Sequence, residues 1–219
     1  MQPDRAQALL FPYVSSPKRI FEELVLTFQS IESVKRLAIA GSLAEGNHDG
    51  YDEIQLVMEA TDPLLVVNAL NDIFPIRYFR PFSGMDFPSG RFWLHDESPF
   101  NFVAMAFYKG VELEEAIGKG KLAHGPVIRE IPSGTKDDWS PPRQYKFPDI
   151  SNDGELSRLV EPTLFSIRSV IREGEDLGGV MANLTALQQG RVRGRVSDGL
   201  IFLIDEISGM VSELVRLRK

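Results

Sequence analysis

The chain reads as an α+β protein: a small mixed sheet packed with helices, followed by a C-terminal helical bundle. Three observations predict this. In the first half, short apolar runs and helical stripes alternate in the order helix, strand, strand, helix, strand, with further strands after them. The stretch 109–150 is weakly periodic and rich in glycine and proline, as a linker or wrapping loop is. From Ser151 onward the apolar residues recur at helical spacing. The implied units are an α/β domain over 1–110, linking and wrapping loops over 111–150, and a helical bundle over 151–219.

Residues 1–13 read as a frayed or partner-docked arm. Ser16 and Pro17 then make an N-cap and first-turn pair, and Ile20, Phe21, Leu24, Val25, Phe28 and Ile31 give a helix over 17–33 an apolar face. Leu37, Ala38, Ile39 and Ala40 form a buried strand ended by Gly41, which tolerates positive φ, and by Ser42, which brings a hydroxyl donor. A loop with Gly46, Asn47 and Gly50 leads into alternation, with Ile54, Leu56 and Met58 on one face and Glu53, Gln55 and Val57 on the other. Asp62-Pro63 caps a second amphipathic helix through Ile73, and Ile76 to Arg80 is the next strand. Arg91 to Leu94 pairs with a strand over Phe100 to Tyr108, whose first outward polar position is Asn101. In the bundle, helices are expected from Leu156 through Ile171, from Leu177 to Gln188, and from Asp198 through Leu214.

The stretch from Arg36 to Met58 is the most specific in the chain. With Gly41-Ser42-Leu43-Ala44-Glu45-Gly46 opening a polar loop before a strand, it resembles the nucleotidyltransferase superfamily, the polymerase-beta-like fold of aminoglycoside and lincosamide nucleotidyltransferases. That family's pattern runs Gly-Ser, loop, Asp-x-Asp on a strand, and a further acid on a later strand. The resemblance implies that such acids hold two magnesium ions (Mg2+) while the Gly-Ser turn meets triphosphate. Here Glu53 and Gln55 stand at the paired positions and Asn101 at the later one, so two of three acids are replaced by amides. An amide oxygen is neutral and holds a hard cation more weakly than a carboxylate. Asp49 and Asp52 are the alternative acids, but bringing Asp52 into register would turn Ile54 and Leu56 outward.

Three readings follow. One is a nucleotidyltransferase-fold protein with a degenerate metal site and weak or no transfer, acting as a nucleotide or ligand binder or a regulatory partner. The second is an active magnesium-dependent enzyme that moves a nucleoside monophosphate from a nucleoside triphosphate to a small-molecule acceptor, with Gly41 and Ser42 on the phosphates and Glu53 and Asp52 on metal. The third is a non-catalytic α/β dimerisation module, a homo-oligomer that binds no nucleotide. Arg191, Arg193 and Arg195 form the dense basic run, read either as phosphate contacts or as a solvated inter-helix turn. Lys119 and Lys121 repeat that idea more weakly, and His124 reads as a surface residue of the linker. The aromatic cluster around Phe92, Trp93, Phe100 and Phe102 reads as core, with Trp93 the member placed to reach a site.

Composition bounds these readings. The 219 residues suffice for a sizeable core, and a formal charge of −7 argues against a broad nucleic-acid surface. With no cysteine there is no disulfide, thiolate metal site or thiol nucleophile. The sequence has no apolar run of spanning length and no signal-peptide pattern at its start, so a cytoplasmic protein without a membrane partner is expected.

Overall fold

The computed structural model describes residues 17–119, 128–131, 153–194 and 196–217. The arm at 1–13, the Ser16 cap, Lys121, His124 and Arg195 lie outside the described residues. Among those described there are a six-stranded mixed sheet and seven helices. The chain divides into two compact units, one of residues 15–97 and 101–146 and the other containing 98–100 and 147–219.

In the α/β unit the order is α1 (Pro17–Ser30), β1 (Val34–Ala40), α2 (Ser42–Glu45), β2 (Ile54–Ala60), α3 (Pro63–Ile73), β3 (Ile76–Pro81), β4 (Gly90–Leu94), β5 (Val103–Phe107), α4 (Val111–Lys119) and β6 (Ile128–Ile131). The sheet runs β3-β4-β5-β2-β1-β6, and every neighbouring pair is antiparallel except β2 with β5. The parallel pair requires a crossover, which α3 and the β3–β4 hairpin supply.

One sheet face carries Leu37, Ile39, Ile54, Leu56, Met58, Phe92, Val103 and Met105, all buried. It is closed by α1, whose Ile20, Leu24 and Phe28 are fully buried and which packs on both β1 and α3. Each such side chain removed from water contributes roughly 1.5–3 kcal/mol. Helix α3 begins as its sequence predicts: the Asp62 carboxylate accepts from the N–H groups of Leu64 and Leu65 at 3.1 and 3.2 Å.

The opposite face is partly closed by α4, whose Leu113 packs with Ala38 and Val57. Arg36 fixes that helix by pairing with Glu114 of α4 and, through Nε at 2.9 Å, with Glu130 of β6. The sequence reading makes 111–150 linking or wrapping loops, and the structure corrects it over the residues it describes. Residues 111–119 are helical, and residues 128–131 form an edge strand on β1 within the α/β unit.

The helical unit contains α5 (Leu156–Glu173), α6 (Gly178–Arg193) and α7 (Asp198–Leu217), each packed on the other two. The start of α7 is organised by Asp153, which is buried and accepts from both the N–H and the hydroxyl of Ser197 at 2.7 Å each. Among the described residues no helix is long and apolar enough to cross a membrane.

Candidate functional site

The turn after β1 is built by a glycine in a conformation that other residues avoid: Gly41 has φ 67° and ψ −154°. Its carbonyl accepts from the N–H groups of Ala44 and Glu45 at 2.9 and 3.2 Å, which winds the chain into the single turn of α2. Gly46, left-handed at φ 77°, ends that turn by donating its N–H to the Ser42 carbonyl.

Strand β2 returns antiparallel to β1 with Gln55 opposite Ala40. The Gln55 amide therefore lies against Gly41, so close that a β-carbon at position 41 would stand 3.3 Å from its Cδ and Nε2. Gln55 Nε2 in turn donates to Glu53 Oε1 at 2.8 Å, and Glu53 is buried. The turn and both paired positions thus form one contact chain, Gly41 to Gln55 to Glu53.

Asn101 sits differently from its expected place. Strand β5 begins at Val103, beside Ile54, so Asn101 precedes the strand, level with Asp52, and is fully buried rather than outward-facing. The reason is local: Phe102 accepts through its carbonyl from the Ile54 N–H at 3.0 Å, and the ladder starts there.

The donor set does not fit a pair of magnesium ions. Asp52 Oδ2 accepts from the Asp49 N–H at 2.7 Å, and Asp49 Oδ1 from the Tyr51 N–H at 2.8 Å, so both loop acids hold the loop's own backbone. Glu53 accepts from an amide N–H at the position where the second acid is expected. Among the described residues no group of three or more His, Asp or Glu side chains is arranged to hold a metal ion. A carboxylate beside an amide satisfies itself by a hydrogen bond, whereas two adjacent carboxylates repel and invite a cation.

What shares the face with Gln55 is visible only from the register. One row across all six strands runs Arg80, Arg91, Ala104, Gln55, Ala40, Ile128. Arg91 is 7% exposed, its guanidinium 4.6 Å from the centre of the Phe82 ring. Ala104 stands between Arg91 and Gln55 in this row, and both Ala104 and Gln55 are partly exposed. The sequence reading passed over Arg80 and Arg91; the available signal was a charge opening a strand of large apolar residues.

Trp93 is 1% exposed and packs against the rings of Tyr78 and Phe102 at 5.6 and 4.9 Å, so it is core rather than an open stacking surface. Arg191 and Arg193 fall in the last turn of α6, which runs past its expected end at Gln188, and Arg191 pairs with Asp205 of α7. Arg191 and Arg193 are thus helical rather than part of an inter-helix turn. Comparison of the chain with family models, with curated proteins and with solved structures gave no match.

Proposed function

We propose that the protein is a ligand-binding member of the nucleotidyltransferase-like folds, taking a nucleotide or related small molecule at the Gly41–Gln55 surface without efficient transfer. The observation that carries this reading is the hydrogen bond from Gln55 to Glu53, made directly beside the Gly41 turn. It joins the two paired positions of β2 beside the glycine turn and occupies the acid with an amide donor. Transfer of a phosphoryl-type group depends mainly on neutralising developing charge, so a site with one acid beside one amide retains shape and loses rate. The residues in named roles are Gly41 and Ser42 as the backbone cradle, Gln55 as a hydrogen-bonding group, and Glu53 as the residue that orients it.

The test is equilibrium binding of a panel of nucleoside mono-, di- and triphosphates to the full chain, with and without magnesium, beside an assay for product formation. Binding of at least one nucleotide in the absence of magnesium, with negligible turnover in its presence, is expected. Rapid nucleotide transfer to a small acceptor would sink the proposal, as would failure of every nucleotide to bind.

A further inference from the structure

We infer that Gln55 reads its ligand as a hydrogen-bond acceptor: its carboxamide oxygen takes an N–H, so the nucleotide bound here carries an exocyclic amino group on its base. The inference rests on the reading that the Gly41–Gln55 surface is a ligand site, and it names the chemical group that site recognises. Three observations carry it.

First, the amide has one way round. Gln55 Nε2 donates to Glu53 Oε1 at 2.8 Å. A carboxylate only accepts, so turning the amide over would set oxygen against oxygen and lose a charge-assisted bond. Nε2 is committed to the acid, and Oε1 keeps its lone pairs for something else. Second, one flat side of the amide is closed. A β-carbon at position 41 would stand 3.3 Å from both Cδ and Nε2 and 3.5 Å from Oε1. A point so nearly equidistant from three atoms of a planar group lies over its plane and not at its edge, so Gly41 backs one side of the amide. The group is therefore ordered before a ligand arrives, and a hydrogen bond to it costs little further freedom. Third, the oxygen is uncommitted, and its neighbour selects what meets it. Gln55 is partly exposed, and among the described residues its side chain makes no hydrogen bond beyond the one to Glu53. A phosphate oxygen accepts and carries negative charge, so at this amide it would meet an acceptor at Oε1 and repulsion from the Glu53 carboxylate. The amino group of adenine or cytosine donates instead, whereas a carbonyl in its place, as in hypoxanthine or uracil, does not.

The experiment is isothermal titration of the full chain in EDTA with two matched pairs, AMP with IMP and CMP with UMP, which differ by an amino group against a carbonyl. In at least one pair the amino member should bind about tenfold to a hundredfold more tightly, the effect of one hydrogen bond made against one acceptor left facing another. Gln55→Leu should shrink that ratio to about threefold or less by removing the acceptor. Glu53→Gln should shrink it too while leaving binding in place, because the Gln55 amide can then turn either way and meet a carbonyl with its N–H; a residue that only supported the fold would weaken both members alike. Purine riboside monophosphate, with hydrogen in place of the amino group, repeats the test on the unmodified chain and serves if neither variant folds: it should bind more weakly than AMP wherever AMP is favoured over IMP. Equal binding within both pairs, preference for the carbonyl member, a ratio that survives in folded Gln55→Leu, or purine riboside monophosphate binding as tightly as a favoured AMP overturns the inference while leaving the ligand site standing. No binding of any nucleotide overturns both.

Discussion

Replacing Gly41 with alanine tests the hinge of the site. The perturbation acts twice. The backbone angles of φ 67° and ψ −154° belong to a region nearly restricted to glycine, where another residue costs about 1–3 kcal/mol. The new methyl would also stand 3.3 Å from the Gln55 amide and press it away from Glu53, threatening a charged hydrogen bond worth about 1.5–3 kcal/mol. Because Gln55 is a flexible side chain that yields in part, a total of about 2–4 kcal/mol is expected. Gly46→Ala is the control: φ is 77°, nothing lies within 4 Å of its added carbon, and only the left-handed strain of about 1–2 kcal/mol applies. Urea unfolding followed by Trp93 fluorescence, in a Trp139→Phe background, measures both. Repeating Gly41→Ala on top of Gln55→Ala should recover at least about 1 kcal/mol, since the contact is then gone. A Gly41→Ala cost no larger than that of Gly46→Ala, or coupling to Gln55 below about 0.3 kcal/mol, would refute the claim that the turn and the amide are packed as one unit.

Other consequences can be checked separately. Gln55→Asp places two carboxylates side by side on one strand face; it should lower stability at neutral pH, with magnesium or manganese raising the melting temperature of the variant and leaving the wild type unmoved. Repulsion raises one of the paired carboxyls above its unfolded value, so the variant's deficit relative to the wild type should be absent in acid and should open as pH rises from about 4 through the raised value. Asp153→Ala removes a buried carboxylate that holds two donors of Ser197 and should destabilise the helical unit by about 2–4 kcal/mol in thermal melts, more than Asp153→Asn does. His95 titrates below its ordinary value of 6.5 because of desolvation and then the nearby charge of Arg77, partly offset by Asp96. Its stabilising contribution is therefore present above that value and is lost as pH falls through the folded one. NMR titration should show the depression, and Arg77→Gln should relieve part of it.

The parts of this fold legible in the sequence were those written in local chemistry. Ile54, Leu56 and Met58 had to face inward together, since a one-residue slip would have put all three in water. Asp62 announced α3 because a cap is a contact between close neighbours. Strand β6 was not legible: Ile128-Arg-Glu-Ile131 is short, half charged and at the sheet edge, where alternation carries little signal. Helix α4 has one well-buried anchor among its described side chains, Leu113, too few to mark a stripe. In the site, Gln55 and Glu53 were found because they are two residues apart on one strand. Arg91 was missed because its place beside Ala104 depends on the β4–β5 register, a long-range pairing that leaves no local trace.

The most direct test of the central claim is a map of backbone amide shifts on adding a nucleotide in EDTA. The account predicts perturbations gathered at Gly41, Ser42, Glu53 and Gln55, unchanged when magnesium replaces the chelator. Shifts that appear only with magnesium, or that fall elsewhere in the α/β unit, would contradict it.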